Sequence, residues 1–426
     1  MSITISAPEA PDEIVALPRP VPAGTRVLHI GPPKTGTTAV QAAMHEARAA
    51  LLDQGVRYLG RQRHSGDAVR SVLGRPSPRL GGKVPRGSYW QGIVAEARDA
   101  AEPRLIFSSE FLAGADEAAV ERVVASFDPG SVHVVATFRP LARLLPSQWQ
   151  QDVRRGAVEP FPTWLEKVLG PDPGAAPYFW RSHRFDAVVE RWVRVVGPDR
   201  FTIIALDARD RGFMLRSFEA LLALRPGTLV ERPSLSNRSL THPEAEAIRA
   251  LNVAFRAAGL GWVDQAQLVH LGAARELWRR ATPTGEPMVI APAWAIERAA
   301  AIDSEMLQRV EALGVEIMGR AAADPLDGVH DPEALDAGAS EPVTITPEVA
   351  AAMTMGVLGA SGLVNRLNDR GERFWPAFRW QLHVFRVVAV GTVRGFLDRG
   401  REAITRRLPG TTPSDEPRVE SSVEDE

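Results

Sequence analysis

The sequence contains no cysteine among its 426 residues, so disulfide bonds, thiolate-bound zinc or iron–sulfur sites and a thiol nucleophile are all excluded. It also contains no run approaching the ~20 consecutive apolar residues that a membrane-spanning helix requires. Charge is nearly balanced, with a formal net charge of -2 and a pI near 6.5. Because no overall positive field exists to recruit nucleic acid, we expect no nucleic-acid partner, and any anion site must be built locally.

Apolar residues are plentiful by comparison. They make up 45% of the chain against 24% charged residues, and a chain of this length can bury a sizeable core with room for more than one domain. Residues 1–24 have neither the basic start nor the apolar centre of a secretory signal, so we interpret them as a flexible tail. We expect a cytoplasmic protein, and the abundance of Ala, Arg, Gly and Pro is typical of a bacterial source.

Residues 25–320 alternate between strand-like and helix-like patterns and are predicted to form one domain. Buried strands of a parallel sheet are indicated by four apolar, β-branched runs: Val27–Ile30, Arg104–Ser108, Ser131–Phe138 and Phe201–Leu206. Helical periodicity separates these runs and continues from Thr241 to Gly314. The alternation predicts an α/β fold with a doubly wound parallel sheet flanked by helices.

The remaining residues predict a helical C-terminal extension. Residues 321–345 are acidic and rich in Asp, Gly and Pro, as expected for a linker. Residues 346–408 contain two helical patterns, of which the second, Trp375–Leu397, is both basic and apolar. We favour packing of this helix on its own domain or in a homodimer, and the alternative is peripheral contact with an anionic membrane. Residues 409–426 are polar and predict a disordered tail.

The first informative motif is a phosphate-binding loop with its lysine in an unusual place. Gly31 and Gly36 have the spacing of an ordinary P-loop, but Thr37 occupies the position where a lysine follows the second glycine. The one lysine of this loop, Lys34, lies between the two glycines. Backbone N–H groups at the helix start can still hold an anion. The alternative interpretation is a connecting turn without a ligand.

This loop resembles the 5′-phosphosulfate-binding loop of sulfotransferases that use 3′-phosphoadenosine 5′-phosphosulfate (PAPS). In that family the lysine contacts the sulfuryl group and the bridging oxygen, and the following residues bind the 5′-phosphate. The resemblance implies a P-loop NTPase-like sulfotransferase fold for residues 25–320. It also implies a catalytic Lys34 and a donor-binding segment: Lys34, Thr35, Gly36, Thr37 and Thr38.

A second motif begins at Arg139, where a magnesium-using P-loop enzyme would place an aspartate. A guanidinium at the carboxyl edge of a parallel sheet suits bidentate recognition of phosphate. The segment resembles the family's 3′-phosphate-binding motif, in which a strand-terminal arginine is followed eight residues later by a serine, here Ser147. Pro146 falls inside the predicted helix, where it costs ~3 kcal/mol or forces a kink that would displace Ser147.

The third motif, Ser108-Ser109-Glu110, follows a strand and supplies a candidate general base. A base that removes a hydroxyl proton contributes about 10²–10⁴-fold. The segment resembles that of the glycan-modifying sulfotransferases, which implies that Glu110 is the base; the alternative is a glutamate stabilised at a helix N-terminus. A weaker candidate for the nucleotide's 3′ end is Ser236–Ser239, which a helix cap explains equally well.

Together these motifs predict a PAPS-dependent sulfotransferase that modifies a hydroxyl on a carbohydrate or a lipid-linked glycan and requires no metal. Adenosine 3′,5′-bisphosphate would be the second product. A P-loop kinase and a nucleotide-binding protein without transfer activity are the alternatives. The kinase predicts a lysine after the second glycine and an aspartate at the strand end, and this chain has Thr37 and Arg139 there.

Overall fold

The computed structural model describes residues 16–77, 80–207, 209–231, 238–281, 285–320 and 344–361. Within them the strands are β1 (Thr25–His29), β2 (Val56–Tyr58), β3 (Arg104–Ser108), β4 (Val132–Phe138), β5 (Phe201–Ala205) and β6 (Glu316–Met318). The α-helices are α1 (Thr37–Glu46), α2 (Arg48–Leu52), α3 (Gly66–Val72), α4 (Ser88–Asp99), α5 (Glu117–Ala125), α6 (Leu141–Arg154), α7 (Phe161–Leu169), α8 (Pro177–His183), α9 (Phe185–Val196), α10 (Phe213–Leu221), α11 (His242–Ala257), α12 (Trp262–Asp264), α13 (Ala274–Arg279), α14 (Ala293–Glu311) and α15 (Pro347–Ala360). Short 3-10 helices cover Glu110–Gly114, Pro129–Ser131, Pro173–Ala175 and Pro198–Arg200, and a π-helical segment, Gln265–Ala273, joins α12 to α13.

The six strands form one parallel sheet in the order β2-β3-β1-β4-β5-β6. The register places Val27 of β1 opposite Ile106 on one side and His133 on the other. This sheet, with helices on both faces, confirms the predicted doubly wound α/β fold. The strand order reverses beside β1, with β2 and β3 on one side and β4 to β6 on the other. Ligands of open α/β folds bind at such a switch point, beyond the carboxyl ends of the strands.

Alternate residues of each central strand pack into two different cores. Val27 and Ile106 lie in the core that contains the buried residues of α1 and α10. Leu28 and Leu105 point to the opposite face and pack with α4, α5, α6 and α9. Burial on both faces explains why the strands read as continuous apolar runs rather than as alternating ones.

Two short strands lie at the edges of the sheet and were not predicted. β2 and β6 have three residues each, too few for a pattern of period two to emerge. The prediction that the domain is purely helical after Thr241 is therefore wrong at β6, which pairs with β5. Its placement depends on the long α14 returning the chain to the sheet edge.

Helix α6 passes through Pro146 without a break. The missing N–H removes one hydrogen bond to the preceding turn, but the helix is anchored on both sides of the proline by buried side chains that include Leu145 and Trp149. Pro146 therefore lies within the helix and does not end it.

The C-terminal region begins as predicted with a helix, α15, which packs against the π-helical segment and α13. A Cβ atom on Gly272 would lie 2.7 Å from the Gly356 carbonyl oxygen, so the two backbones approach closely. The predicted helix Trp375–Leu397, the C-terminal tail and most of the linker lie outside the described residues, and the domain boundaries stay predictions. None of the described helices is long and apolar enough to cross a bilayer.

Candidate functional site

The loop between β1 and α1 is held in a specific backbone conformation. Gly31 lies so close to β4 that an added Cβ would stand 2.2 Å from Thr137 Oγ1. Gly36 has φ of 82°, and Lys34 has φ of 70°, in the left-handed region that residues with side chains rarely adopt. Such a conformation costs on the order of 1–3 kcal/mol and persists only when the surroundings impose it. The loop is therefore preorganised around Lys34.

Hydrogen bonds between uncharged groups support this loop. His29 Nδ1 lies 2.8 Å from Ser108 Oγ, and burial lowers the pKa of His29 to about 3, so the imidazole is neutral. The Thr35 hydroxyl donates to the Pro32 carbonyl at 2.7 Å and lies 2.6 Å from Thr137 Oγ1. Thr35 was predicted to bind the donor, but its side chain is already engaged, so only its backbone N–H could serve.

We expect Gly31→Ala to destabilise the protein. The new methyl group would collide with Thr137 Oγ1 and His29 Nε2, and overpacking of this kind costs about 1–3 kcal/mol. Urea unfolding would measure the loss. The matched control is Gly92→Ala in α4, where nothing lies within 4 Å of the new Cβ and helix propensity favours alanine by up to ~1 kcal/mol. Equal midpoints for the two variants would contradict this account of the loop.

The N-terminus of α1 offers donors for an anion. Its first residue follows Gly36, which has no side chain to cap the helix. Thr37 is buried, and among the described residues its Oγ1 has no hydrogen-bond partner. Thr38 is half-buried and lines a cavity whose wall also includes Glu110. An uncapped helix start with a buried, unpartnered hydroxyl fits the phosphate group predicted to bind there.

Lys34, Glu110 and Arg139 lie close together at the carboxyl edge of the sheet. Arg139 Nη1 donates to the Lys34 carbonyl oxygen at 3.1 Å. Burial and the charge of Arg154 lower the pKa of Lys34 to about 8, while the carboxylate of Glu110 opposes this change. Three residues predicted from separate motifs therefore share one site. Arg139 also fixes the backbone that carries Lys34, a role that its motif does not reveal.

Glu110 is the first residue of a 3-10 helix that follows β3. Burial raises the pKa of its carboxyl above the usual range. The charges of Arg155 and Lys34 act in the opposite direction without cancelling the effect of burial. A carboxylate with a raised pKa beside a cavity is a better proton acceptor than an exposed one. Its position at a helix start is thus compatible with both interpretations of the motif.

Ser147 is not brought against Arg139 by any hydrogen bond in the described part of the chain. It is half-buried on α6. It lines neither the cavity that contains Arg139 nor the cavity that contains Glu110. Arg143, one turn after Arg139, has buried Nε and Nη2 atoms without a hydrogen-bond partner among the described residues, and its charge lowers the pKa of Arg139. The role of Ser147 stays a prediction, and Arg143 offers near Arg139 two hydrogen-bond donors that no described residue engages.

The end of α6 contributes two arginines that the sequence motifs missed. The charges of both Arg154 and Arg155 lower the pKa of Lys34, and that of Arg155 also acts on Glu110. Arg70, from α3, lies within electrostatic range of Glu110 as well. Helix α6 begins two residues after Arg139 and ends at Arg154, and its 14 residues span ~21 Å. The two adjacent arginines at the C-terminal end of this helix were the feature of the sequence that could have identified them.

The described residues of the segment Ser236–Ser239 form contacts within the protein rather than a ligand site. Ser236 and Asn237 lie outside the described residues. Arg238 forms a bidentate pair with the buried carboxylate of Glu244, with both contacts at 2.7 Å. Glu244 in turn completes the capping box of α11 with Thr241. The cap interpretation explains the described part of this motif.

A cavity of about 350 Å³ opens beside Glu110. Its walls include Thr38 and Gln41 from α1, Ser109 and Glu110 after β3, Arg154 at the end of α6, and His270 in the π-helical segment. Cationic and neutral polar groups thus surround one carboxylate that can accept a proton. Among the described residues, no group of three or more His, Asp or Glu side chains is arranged to hold a metal ion.

Comparison with solved structures gives a similarity to a sulfotransferase. The fold is similar to the crystal structure of a sulfotransferase from Alicyclobacillus acidocaldarius, with 16% sequence identity and a TM-score of 0.34. The match covers 60% of this chain and 99% of that chain. No family model and no curated protein matches the sequence. The functional assignment therefore rests on the residues of the site.

Proposed function

We propose that the protein transfers the sulfuryl group of PAPS to an acceptor hydroxyl on a carbohydrate or a lipid-linked glycan. The acceptor oxygen forms a bond to sulfur as the bond from sulfur to the bridging phosphate oxygen breaks. The hydroxyl proton passes to Glu110, and the electron pair of the broken bond leaves with adenosine 3′,5′-bisphosphate. The observation that carries the proposal is the uncapped start of α1, where the buried Thr37 hydroxyl has no partner in the part of the chain that the structure describes, beside a loop whose Lys34 carbonyl accepts a hydrogen bond from Arg139.

Lys34 is suited to stabilise the charge that develops during transfer. Its ammonium group lies within electrostatic range of Glu110 and of the basic residues Arg154, Arg155 and Arg139. Fixed positive groups aimed at developing charge act strongly in a partly desolvated site. The left-handed backbone at Lys34 is consistent with strain retained for this purpose.

The residue after β4 favours this reaction over phosphoryl transfer from ATP. A magnesium-using P-loop enzyme places a carboxylate there to help hold the metal. This chain places Arg139, whose guanidinium is half-buried beside the loop. A positive group at this position repels a divalent cation and suits the second phosphate of a 3′,5′-bisphosphate. The donor set thus fits PAPS better than a nucleoside triphosphate with its magnesium ion.

We expect Arg139→Gln to weaken donor binding more than it slows transfer at saturating donor. Removing a hydrogen bond to a charged group costs about 1.5–3 kcal/mol, which corresponds to a roughly 10- to 100-fold rise in the dissociation constant of adenosine 3′,5′-bisphosphate. Isothermal titration calorimetry measures this constant. Because Arg139 also holds the Lys34 carbonyl, a smaller fall in kcat should accompany the effect. Unchanged binding of the bisphosphate would contradict the assignment.

We expect Thr37→Val to separate donor binding from stability. A buried hydroxyl without a partner costs ~1–3 kcal/mol in the free protein, so its removal should leave the free energy of unfolding unchanged or higher. The same change should weaken binding of adenosine 3′,5′-bisphosphate roughly 10-fold, since a charge-assisted hydrogen bond is lost.

Thr35→Val is the matched control for that experiment, because its hydroxyl already has partners in the Pro32 carbonyl and Thr137 Oγ1. It should lower stability. Calorimetry and urea unfolding report the two effects separately. If Thr37→Val destabilised the protein and left bisphosphate binding unchanged, Thr37 would be a structural residue.

Direct competition between nucleotides tests the donor class. We expect saturable binding of adenosine 3′,5′-bisphosphate and of PAPS, with ATP and ADP at least ~10-fold weaker, because neither carries the 3′-phosphate that would contact Arg139. Tight ATP binding without affinity for PAPS or its product would favour the kinase interpretation. Tight PAPS binding without transfer to any acceptor would favour a nucleotide-binding protein.

A further inference from the structure

The cavity beside Glu110 contains a buried arginine, Arg154, that forms no ion pair within the described part of the chain. Arg154 is 8% exposed, lines the cavity and, within the described ranges, has no hydrogen-bond partner at its Nε atom. Its guanidinium lies over the Trp278 ring, 3.1 Å from the centroid. Burying a charge without a partner costs free energy. We therefore expect Arg154 to bind a negatively charged group from outside the chain.

Apart from Glu110, the cavity wall offers hydrogen-bonding groups and no further carboxylate among the described residues. Gln41 Oε1 and His270 Nδ1 are buried without partners among the described residues. Burial and the charge of Arg154 lower the pKa of His270 to about 4, so its ring is neutral. His270 lies in the π-helical segment, and π-helical turns are rare and occur mostly at functional sites. Such a wall suits a polyhydroxylated molecule.

We propose that this cavity is the acceptor site and that Arg154 anchors a negatively charged group on the acceptor, which makes an acidic sugar the substrate class. The inference rests on the proposed function, because it takes Glu110 as the base that faces the reacting hydroxyl. The acidic group binds the guanidinium while Glu110, on the same cavity, accepts the hydroxyl proton. Trp278 holds the guanidinium in place, so Arg154 gives both affinity and orientation. Donor recognition at Arg139, which precedes α6, and acceptor recognition at Arg154, the last residue of α6, are then separated by the length of that helix.

Matched glycosides test the charge requirement. Binding is measured by calorimetry in saturating adenosine 3′,5′-bisphosphate, with the p-nitrophenyl β-glycosides of glucose, glucuronic acid, glucose 6-sulfate and glucose 6-phosphate as probes. We expect at least one acidic glycoside to bind 10-fold or more tightly than the glucoside. If no acidic glycoside bound more tightly than the glucoside, the proposal would be overturned.

Two variants identify the residue responsible. Arg154→Met retains an apolar contact with Trp278 and removes an unpaired buried charge, so we expect a folded protein whose preference for the acidic probe falls below 3-fold. Arg279→Gln, which changes an exposed arginine of α13 paired with Glu276, alters net charge equally and should keep the full preference. A preference that survived Arg154→Met would assign the anion to another residue.

The binding result is separate from the transfer reaction. If PAPS gave no transfer while the acidic probe still bound through Arg154, the sulfotransfer proposal would fail and the anionic pocket would stand. If transfer occurred equally well to neutral and acidic glycosides, the reaction would stand and the acidic substrate class would be overturned.

Discussion

Replacing Lys34 with methionine should reduce kcat for sulfuryl transfer by roughly 10²–10³-fold, as removal of a single preorganised group that stabilises developing charge does in other enzymes. Methionine keeps the length of the side chain and removes the charge. The fold should survive, because Lys34 is half-buried at the site and the loop is fixed by Gly31 and Thr137. Steady-state kinetics with saturating PAPS would measure the loss, and urea unfolding would confirm that the protein is folded.

The pH dependence separates the charge of Lys34 from its size. Because the pKa of Lys34 is lowered to about 8, the ammonium form predominates at lower pH and is lost as the pH rises through that value. We therefore expect kcat/KM, which reports the free enzyme, to fall above about pH 8. Lys34→Arg should move this alkaline limb upward, since a guanidinium remains charged. If the alkaline limb of kcat/KM stayed at the same pH in Lys34→Arg, the proposed role of Lys34 in the mechanism would be contradicted.

Replacing Glu110 with glutamine should lower kcat by about 10²–10⁴-fold, the usual contribution of a positioned general base. Glutamine preserves the shape of the side chain but cannot accept the hydroxyl proton. Donor binding should change little, because in the proposed reaction Glu110 accepts the proton of the acceptor hydroxyl and does not bind the phosphates of the donor. Glu121→Gln on the exposed side of α5 is the control for the same change in charge. A Glu110→Gln variant with full turnover would show that another group accepts the proton.

The acidic limb of the pH profile gives a second reading of Glu110. Burial raises the pKa of this carboxyl, so its protonated, inactive form persists to higher pH than for an exposed glutamate. Activity should therefore rise with pH through a value above the ordinary range for glutamate and then reach its plateau. Because Lys34 and Glu110 influence each other, both limbs describe the pair. Glu110→Gln should abolish the acidic limb.

The sequence was informative about the centre of the sheet and less so about its margins. Strands such as β4 are buried on both faces and contain enough β-branched residues to be recognised. β6 is three residues long and only half-buried, and it becomes a strand because α14 delivers it beside β5. Tertiary placement of this kind leaves no periodic signal.

The site divides in the same way. Lys34 and Thr37 belong to a local motif in which a strand, a loop and a helix start follow one another, so the sequence places them directly. Arg154 and Trp278 meet because the chain returns to the end of α6 more than a hundred residues later, and no spacing predicts that contact. For Thr35 the residue type alone did not show whether the side chain is free to bind a ligand, because its hydroxyl donates to the Pro32 carbonyl.

The central claim is that the loop around Lys34 supports donation of sulfate rather than phosphate. The most direct measurement is transfer of a radiolabelled sulfuryl group from PAPS to a panel of acidic and neutral glycosides, with γ-labelled ATP in parallel reactions. We predict labelled glycoside and an equal amount of adenosine 3′,5′-bisphosphate from PAPS, no label from ATP, and loss of the reaction in Lys34→Met. Transfer from ATP, or no transfer from PAPS to any member of the panel, would contradict the account.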